Sequence, residues 1–311
     1  MRQVTLGTTG VEVSTLCLGA MVFGTRQDEA ESFALLDQYA AAGGSFIDTA
    51  NIYAHWTSNG QGGDSEALLN KWMKARGNRD QLFIATKVGF EYGDQGRGLT
   101  AQQIEVEAEK SLKRLGIETI DLYYAHCDDL NTPLEESMAA FDKLVQAGKV
   151  RYLGASNYTA WRLEKARWTS RSNGWAEFGC LQQRYTYLRG RRGQNFAPQL
   201  EANDDVVEYC RAEGVTLLAY SALLSGAYTR SDREFMAQYL GPDSNNRLAV
   251  LRDVAREQNV TRNQVVLAWM LANGVLPLIA ASTAEQMTEN IGALDVQLTD
   301  AQVARLNAAG A

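Results

Sequence analysis

The chain has 311 residues, of which 45% are hydrophobic and 22% charged, and its formal net charge is −7 at pH 7. This composition is typical of a soluble globular protein. The acidic excess argues against nucleic acid or an anionic membrane as a partner, because both attract basic surfaces. The longest apolar stretch, 265–281, is interrupted by Gly274 and Pro277 and falls short of the roughly 20 apolar residues that a membrane span needs.

The number and spacing of the cysteines and histidines limit which disulfides and metal sites the chain can form. Four cysteines lie far apart and form no Cys-x-x-Cys pair, which indicates free thiols in a reducing compartment. The first residues contain no apolar signal-peptide core, so we expect a cytoplasmic protein. Only two histidines are present, His55 and His126, so we expect no metal site built on histidine. A site made of carboxylates stays open, although no recognisable spacing supports one.

Short apolar strands alternate with helical segments along the chain. The opening segment, 4–16, predicts a β-hairpin with a Thr-Gly turn. The later strands are apolar throughout, which indicates a parallel sheet covered on both faces. Between them the apolar period is helical, as at Ile104, Ala108 and Leu112. The predicted strands lie at 16–20, 46–48, 82–87, 121–126, 151–156, 180–183, 216–221 and 276–282.

Eight strand–helix units in this length predict a (β/α)8 TIM barrel, with residues 1–311 forming one domain. The N-terminal hairpin would plug the N-terminal end of the barrel. A doubly wound open sheet is the alternative. Two segments, about 225–247 and the tail after Leu298, are additions to the repeat.

Polar residues stand where the predicted strands end. In a parallel barrel these ends meet at one rim, where barrel enzymes have their active sites. Each residue alone could serve packing or reach toward water, but residues from adjacent strands must converge. Tyr53 follows the second strand closely and would face the same rim. The strand-end residues are Asp48, Lys87, His126, Ser156, Asn157, Gln182, Tyr220 and Ser221.

The convergence of these groups around Tyr53 predicts acid–base chemistry. An isolated tyrosine has a pKa of about 10, and we expect the ammonium group of Lys87 to lower it. Asp48 would keep Lys87 charged and oriented. His126 would hydrogen-bond the oxygen that Tyr53 protonates. The set suits protonation of a carbonyl as it becomes an alkoxide, or the reverse reaction, and it contains no strong nucleophile.

An ordered series of short motifs resembles the aldo-keto reductase superfamily over about 4–306. Each motif alone is weak, whereas the ordered set is highly specific. The motifs are Asp48-Thr-Ala-x-x-Tyr53, Ala-Thr-Lys87, Asp-Leu-Tyr-Tyr-Ala-His126, Gly154-x-Ser156-Asn157, Gln182-x-x-Tyr185, Ala-Tyr220-Ser221 and Gln286-x-x-Glu289-Asn290.

The resemblance implies a barrel that binds NADP or NAD without a Rossmann domain. It implies Tyr53 as general acid or base, supported by Asp48, Lys87 and His126. By the same resemblance, three groups of residues would hold the cofactor. Ser156, Asn157 and Gln182 would hold the nicotinamide carboxamide, Tyr220 beside Ser221 would stack on the ring, and the backbone from Leu223 to Gly226 would approach the pyrophosphate. A last capping box, Ser282 to Glu285, would present a helix N-terminus to the adenosine end, near Gln286 and Asn290.

Two features depart from the family pattern. No Lys or Arg lies between Ala280 and Asn290, where many members grip the 2′-phosphate of NADPH, so the local residues favour NAD or dual use. The loop after Tyr53 is long and polar. We expect His55 and Trp56 to form one wall of the substrate pocket, with a solvated loop anchored by the tryptophan as the alternative.

The sequence therefore predicts an NAD(P)-dependent oxidoreductase that interconverts an alcohol with an aldehyde, ketone or sugar. A cofactor-binding regulatory subunit without significant turnover is one alternative. A barrel lyase or isomerase that uses the Tyr–Lys pair as a base is another. The physiological substrate, the preferred direction and the oligomeric state do not follow from the sequence.

Overall fold

In the computed structural model, which describes residues 1–56, 62–93 and 96–310, eight parallel strands close into a barrel. The strands are β1 Gln3–Thr5, β2 Glu12–Ser14, β3 Cys17–Gly19, β4 Phe46–Asp48, β5 Phe83–Val88, β6 Ile120–Ala125, β7 Val150–Ser156, β8 Phe178–Arg184, β9 Thr216–Tyr220 and β10 Leu276–Ile279. The helices are α1 Glu29–Ala41, α2 Asp64–Arg76, α3 Ala101–Leu115, α4 Leu134–Gln146, α5 Ala160–Asn173, α6 Asp204–Ala212, α7 Pro242–Gln258, α8 Arg262–Ala272, α9 Ala284–Gly292 and α10 Asp300–Ala308.

The barrel closes in simple chain order, from β3 to β10. The last strand pairs with the first in parallel, with Leu278 opposite Cys17 and Ile279 opposite Leu18. This closure confirms the (β/α)8 prediction, and the open-sheet alternative is wrong. Helix α7, in the segment predicted as an addition, runs on to Gln258, and α10 follows the last unit.

The N-terminal hairpin covers the bottom of the barrel. Strands β1 and β2 pair in antiparallel fashion, with Val4 opposite Val13. The side chains of Leu6 and Val13 are fully buried in an apolar cluster with residues of the barrel strands. The backbone N–H of Gly7 donates to Thr216 Oγ1 at 2.6 Å, at the start of β9. A Cβ atom on Gly7 would lie 1.9 Å from the carbonyl oxygen of Gly179, so only glycine fits this contact. The predicted plug is therefore confirmed.

Several helices begin at a side-chain cap and bury an apolar face, and α3 is an example. In α3 the Thr100 hydroxyl accepts from Gln103 N, and Ile104, Ala108 and Leu112 are buried as the period predicted. Helix α9 begins one residue later than expected. Its cap is Thr283, which accepts from Gln286 N, so the predicted capping box at Ser282 is wrong by one position. No helix among the described residues is both long and apolar enough to cross a membrane.

Candidate active site

Lys87 is the centre of a buried polar cluster at the C-terminal rim of the barrel. It lies near the end of β5, and Asp48 ends the neighbouring strand β4; both side chains are almost completely buried. The Nζ atom of Lys87 donates to Asp48 Oδ1, to the carbonyl oxygen of Thr49 at 2.7 Å and to the Tyr53 hydroxyl at 3.1 Å. An ammonium group has three donors, so this set satisfies it completely.

The cluster keeps Lys87 positively charged. Burial alone lowers the pKa of a lysine, because the charged form loses its hydration. Here the charges and hydrogen bonds of Asp48 and Tyr53 outweigh burial, and the pKa of Lys87 lies above its ordinary value. A fixed cation therefore stands beside the phenol of Tyr53, as the sequence predicted.

The pKa of Tyr53 differs from the expectation. Burial of the phenol raises its pKa, and the charge of Lys87 lowers it by less, so the net shift is upward. Lys87 does lower the pKa of Tyr53 as expected, but burial of the phenol, which the sequence does not show, raises it by more. Two backbone hydrogen bonds hold the residue, from Tyr53 N to the Ala50 oxygen at 3.1 Å and from Gly63 N to the Tyr53 oxygen at 3.1 Å. Tyr53 is thus a well-placed neutral phenol in the free protein.

His126 follows β6 and faces Tyr53 across the rim. The two ring centroids are 6.0 Å apart, and the backbone N–H of His126 donates to the Val88 oxygen at 2.7 Å. Burial lowers the pKa of His126 well below its ordinary value, and the charge of Lys87 lowers it further, so the imidazole is neutral. Its Nδ1 atom is buried and has no hydrogen-bond partner among the described residues. A buried unpaired N–H costs more than a buried lone pair, which favours the tautomer with the proton on Nε2.

Aromatic rings extend from Tyr53 and His126 toward solvent. The ring of Trp56 lies 6.1 Å from that of Tyr53, and His55 lies 5.1 Å from Trp56. On the other side, the ring of Phe90 contacts that of His126 edge-on at 4.6 Å. These neighbours are consistent with a pocket wall at His55 and Trp56, whose contact with substrate stays a prediction. The rest of the loop, 57–61, lies outside the described residues.

Two residues near His126, Phe90 and Arg97, were not among the predicted site residues. Both follow β5, whose end already supplies Lys87. The guanidinium of Arg97 lies over the Phe90 ring, 5.4 Å from its centroid. The Nη2 atom of Arg97 donates to the backbone carbonyl oxygen of Asp128 at 3.4 Å. The sequence did contain a signal for Phe90, because it is an aromatic residue two positions after the end of β5.

The three residues expected to hold an amide differ in the hydrogen-bonding capacity they retain. Asn157 Nδ2 donates to the His126 carbonyl at 2.9 Å and to Ser156 Oγ at 3.0 Å. Its Oδ1 accepts from Leu200 N at 3.0 Å and from the Tyr220 hydroxyl at 2.8 Å. The side chain of Asn157 is therefore saturated and would have to exchange a partner to bind a ligand.

Gln182 and Ser156 keep open groups. Gln182 Nε2 donates to Asp48 Oδ2 at 2.8 Å, which leaves its second N–H and its side-chain carbonyl oxygen without a partner among the described residues. The Ser156 hydroxyl accepts from Asn157 and can still donate. Together they offer the donor and the acceptor that a carboxamide requires.

Tyr220 ends β9 and lies over a buried cation. The Arg184 guanidinium lies 6.0 Å from the Tyr220 ring centroid and 5.1 Å from that of Phe196. Its Nε and Nη2 atoms donate to Gln199 Oε1 at 2.9 and 2.7 Å. Arg184 was also not among the predicted site residues, although it lies two residues after Gln182 and therefore on the same side of β8.

The loop after β9 has an unusual backbone. Ser221, Leu224 and Ser225 have φ values of 57°, 47° and 59°, and Gly226 has φ of 85°. Left-handed conformations at non-glycine residues are sparsely populated and cluster at ligand-binding loops. This geometry is compatible with the expected approach of 223–226 to a pyrophosphate.

The segment before α9 is closed by its own side chains. Gln286 Oε1 accepts from Ser282 N at 2.7 Å, and Asn290 Nδ2 donates to the Ala280 oxygen at 3.0 Å. Asn290 is buried and Ser282 is exposed. Of the three predicted residues, Ser282 is therefore the most open to a ligand, and Asn290 stabilises the loop.

The donor set as a whole fits a nicotinamide dinucleotide. A carboxamide-binding pair, an aromatic face at Tyr220, a loop of left-handed backbone and the N-terminus of α9 occur in that order along neighbouring strands. Among the described residues, no group of three or more His, Cys, Asp or Glu side chains could hold a metal ion. All four cysteines are buried free thiols.

Comparison with known proteins places this geometry in a family context. The model of the aldo/keto reductase family matches residues 15–311. A norsolorinic acid reductase from Emericella nidulans is 35% identical over 94% of this chain and 77% of its own length. An uncharacterized oxidoreductase from Bacillus subtilis is 34% identical over 98% of this chain and 94% of its own. An aryl-alcohol dehydrogenase from Pestalotiopsis microspora is 31% identical over 93% and 77%.

Proposed function

Because the chain belongs to the aldo/keto reductase family, we propose that it is an NAD(P)-dependent oxidoreductase in which Tyr53 is the general acid and base. The observation that carries the proposal is the three-way contact of Lys87 with Asp48, Thr49 and Tyr53. A buried lysine with all its donors satisfied and one of them on a phenol is suited to stabilise a phenolate. Members of this family generally use a nicotinamide dinucleotide.

The proton transfer follows from the two shifted pKa values. In the free protein the raised pKa of Tyr53 keeps the phenol protonated, as a proton donor must be. When the proton leaves, the phenolate lies 3.1 Å from the charged Nζ of Lys87. That attraction is on the order of 5 kcal/mol at an effective dielectric constant of about 20. Lys87 therefore stabilises the charge that appears during the reaction more than the neutral phenol before it.

His126 orients the carbonyl group of the substrate. Its imidazole is neutral, and the tautomer favoured above carries the proton on Nε2, where it can donate to the substrate oxygen. A neutral donor stabilises the developing alkoxide without competing with Tyr53 as the acid. The backbone hydrogen bond to Val88 and the edge contact with Phe90 fix the imidazole beside Tyr53.

The cofactor would be held by residues of β7 to β10. When bound, the reduced nicotinamide supplies the hydride that attacks the carbonyl carbon. Ser156 and Gln182 would bind its carboxamide, while Tyr220 offers a flat face to the ring. The hydrogen bond from Gln182 to Asp48 links this amide site directly to the Lys87 cluster.

The aromatic wall supports an aromatic aldehyde or ketone as the substrate. The rings of Tyr53 and Phe90 neighbour that of His126, and the ring of Trp56 neighbours that of Tyr53; flat rings favour aromatic partners. The names of two relatives, a norsolorinic acid reductase and an aryl-alcohol dehydrogenase, point the same way. A sugar, which sequence reasoning also allowed, would need more hydrogen-bonding groups than this wall offers.

Turnover assays with both reduced cofactors test the function. The consumption of NADH and NADPH is followed by absorbance with benzaldehydes, aryl ketones and aldose sugars. Faster turnover of aromatic carbonyls supports the proposal. Cofactor binding without turnover of any carbonyl would instead support the regulatory-subunit alternative.

A further inference from the structure

A buried carboxylate on α3, Glu107, contacts two loops of the candidate active site. Its side chain is 2% exposed, although charged side chains are rarely buried unless they are paired. Glu107 Oε2 accepts from Asn51 Nδ2 at 2.8 Å and from the Tyr92 hydroxyl. Lys110, one turn further along α3, donates to the other oxygen at 2.8 Å. The mechanism proposed above uses none of these residues.

Asn51 connects Glu107 to the beginning of the segment 51–63, here called the Tyr53 loop, of which the structure describes 51–56 and 62–63. Asn51 is 1% exposed and stands two residues before Tyr53. Its backbone N–H donates to the carbonyl oxygen of Lys87 at 3.3 Å, while its side chain donates to Glu107. Asn51 therefore contacts Lys87 through its backbone and Glu107 through its side chain, two residues before Tyr53.

Tyr92 connects Glu107 to the end of the same loop. A Cβ atom on Gly62 would lie 2.7 Å from the ring of Tyr92, so the ring packs directly on the backbone there. The next residue, Gly63, donates its N–H to the Tyr53 carbonyl oxygen at 3.1 Å. Tyr92 also follows Phe90 by two positions, and Phe90 contacts His126. One carboxylate thus reaches both ends of the Tyr53 loop and the loop that supports His126.

The charge of Glu107 makes these contacts strong. Burial raises its pKa, but the hydrogen bonds from Lys110, Tyr92 and Asn51 lower it by more, so the carboxylate stays ionised at neutral pH. Hydrogen bonds to a charged acceptor are roughly twice as strong as neutral ones. A neutral isostere would keep the shape of the side chain and lose this strength.

We propose that Glu107 is a positioning residue that holds Tyr53 against Lys87 by fixing Asn51 and Tyr92. This inference rests on the proposed function, because it assumes that Tyr53 acts as the proton donor. Its consequence is specific. If the loop loosens, Tyr53 loses part of the contact with Lys87, and with it the lowering effect of the Lys87 charge on the pKa of Tyr53.

The experiment compares Glu107→Gln and Asn51→Ala with the control Lys113→Gln. Lys113 is an exposed lysine on the same helix and is not among the described hydrogen-bond partners of Glu107. For the two loop variants we expect kcat for aromatic aldehyde reduction to fall about tenfold or more, equivalent to about 1.4 kcal/mol. The KM for the cofactor should change little. The basic limb of the pH profile of kcat/KM should move to higher pH, and Lys113→Gln should keep the wild-type limb.

Several outcomes separate positioning from mere stabilisation. A stability defect reduces the folded fraction but leaves the pH limb in place, so an unshifted limb in both loop variants would overturn the proposal. If Glu107→Gln fails to fold, Tyr92→Phe replaces it, since it removes one hydroxyl and keeps the ring on Gly62. If Glu107 acts through Asn51, the double variant Asn51→Ala/Glu107→Gln should be no slower than the slower single variant. Fully additive losses of kcat would show that the two residues act independently. Absence of turnover in the wild-type protein would refute the proposed function itself.

Discussion

The hydroxyl of Tyr53 lies 3.1 Å from the ammonium nitrogen of Lys87, inside a cluster in which Lys87 has no donor left over. In the free protein Lys87 is charged and Tyr53 is neutral, for different reasons. Lys87 stays charged because Asp48 offsets its burial, whereas Tyr53 stays neutral because burial exceeds the effect of Lys87. The pair is thus prepared for the moment when the proton leaves the phenol.

Removal of the lysine charge should move the pH dependence of both reaction directions upward. In Lys87→Met the pKa of Tyr53 rises further, because the one strong lowering effect is lost. Reduction needs the protonated phenol, so its basic limb shifts to higher pH. Oxidation needs the phenolate, so its activity appears only at higher pH and its maximal rate falls. The measurement is kcat/KM against pH in each direction.

Lys87→Met needs a control because it leaves the buried carboxylate of Asp48 without its cationic partner. Lys87→Met leaves Asp48 buried without its partner, and breaking a buried pair costs about 3–5 kcal/mol of stability. The double variant Asp48→Asn/Lys87→Met removes both charges and should unfold at a higher temperature than Lys87→Met. If the two unfold alike and the pH limbs stay in place, Lys87 does not tune Tyr53.

The preference between the two cofactors should be weak. No Lys or Arg lies between Ala280 and Asn290, and Gln286 Oε1 is already bound to Ser282 N. The N-terminus of α9 alone offers a 2′-phosphate only about 0.3–1 kcal/mol. We therefore expect NAD(H) and NADP(H) to bind within about tenfold of each other, or roughly 1.4 kcal/mol.

Ser282→Arg provides the matched test at this site. Ser282 is exposed, so an arginine there can reach a phosphate without disturbing the loop. The variant should bind NADP(H) more tightly and leave NAD(H) almost unchanged, as measured by quenching of tryptophan fluorescence. A hundredfold preference for NADP(H) in the wild-type protein would contradict this account and indicate a basic residue elsewhere.

Arg97 should favour substrates with an anionic group beyond the reacting carbonyl. Its guanidinium lies over the ring of Phe90, and that ring contacts the imidazole of His126. A charge-assisted hydrogen bond contributes about 1.5–3 kcal/mol, so Arg97→Gln should lower kcat/KM for 4-carboxybenzaldehyde by about tenfold or more. Unsubstituted benzaldehyde should be unaffected, and Arg97→Lys should retain part of the preference. Equal losses for both aldehydes would remove Arg97 from substrate recognition.

The sequence revealed the parts of this site that depend on local pattern. Apolar runs ending in Asp48, Lys87 and His126 could be assigned to strand ends, and strand ends share one rim in a parallel barrel. It did not reveal what depends on depth or on partners from distant segments. The pKa of Tyr53 follows burial, and the saturation of Asn157 follows contacts with Leu200 and Tyr220.

Glu107 illustrates the same limit on a helix. It stands three residues after Ile104, close to the apolar stripe of α3, so a charge there was a signal of a buried carboxylate. Its partners, Asn51 and Tyr92, come from loops without periodicity, and only the folded chain brings them to it.

The role of Tyr53 as proton donor is tested most directly by the rate of hydride transfer in Tyr53→Phe, measured in a single turnover with a reduced cofactor and an aromatic aldehyde. The variant removes only the hydroxyl, so the ring contacts with His126 and Trp56 remain. We expect the rate to fall on the order of 10²-fold or more, the scale of general acid catalysis, with cofactor affinity nearly unchanged. A rate close to that of the wild-type protein, under conditions where chemistry limits the turnover, would show that another group supplies the proton.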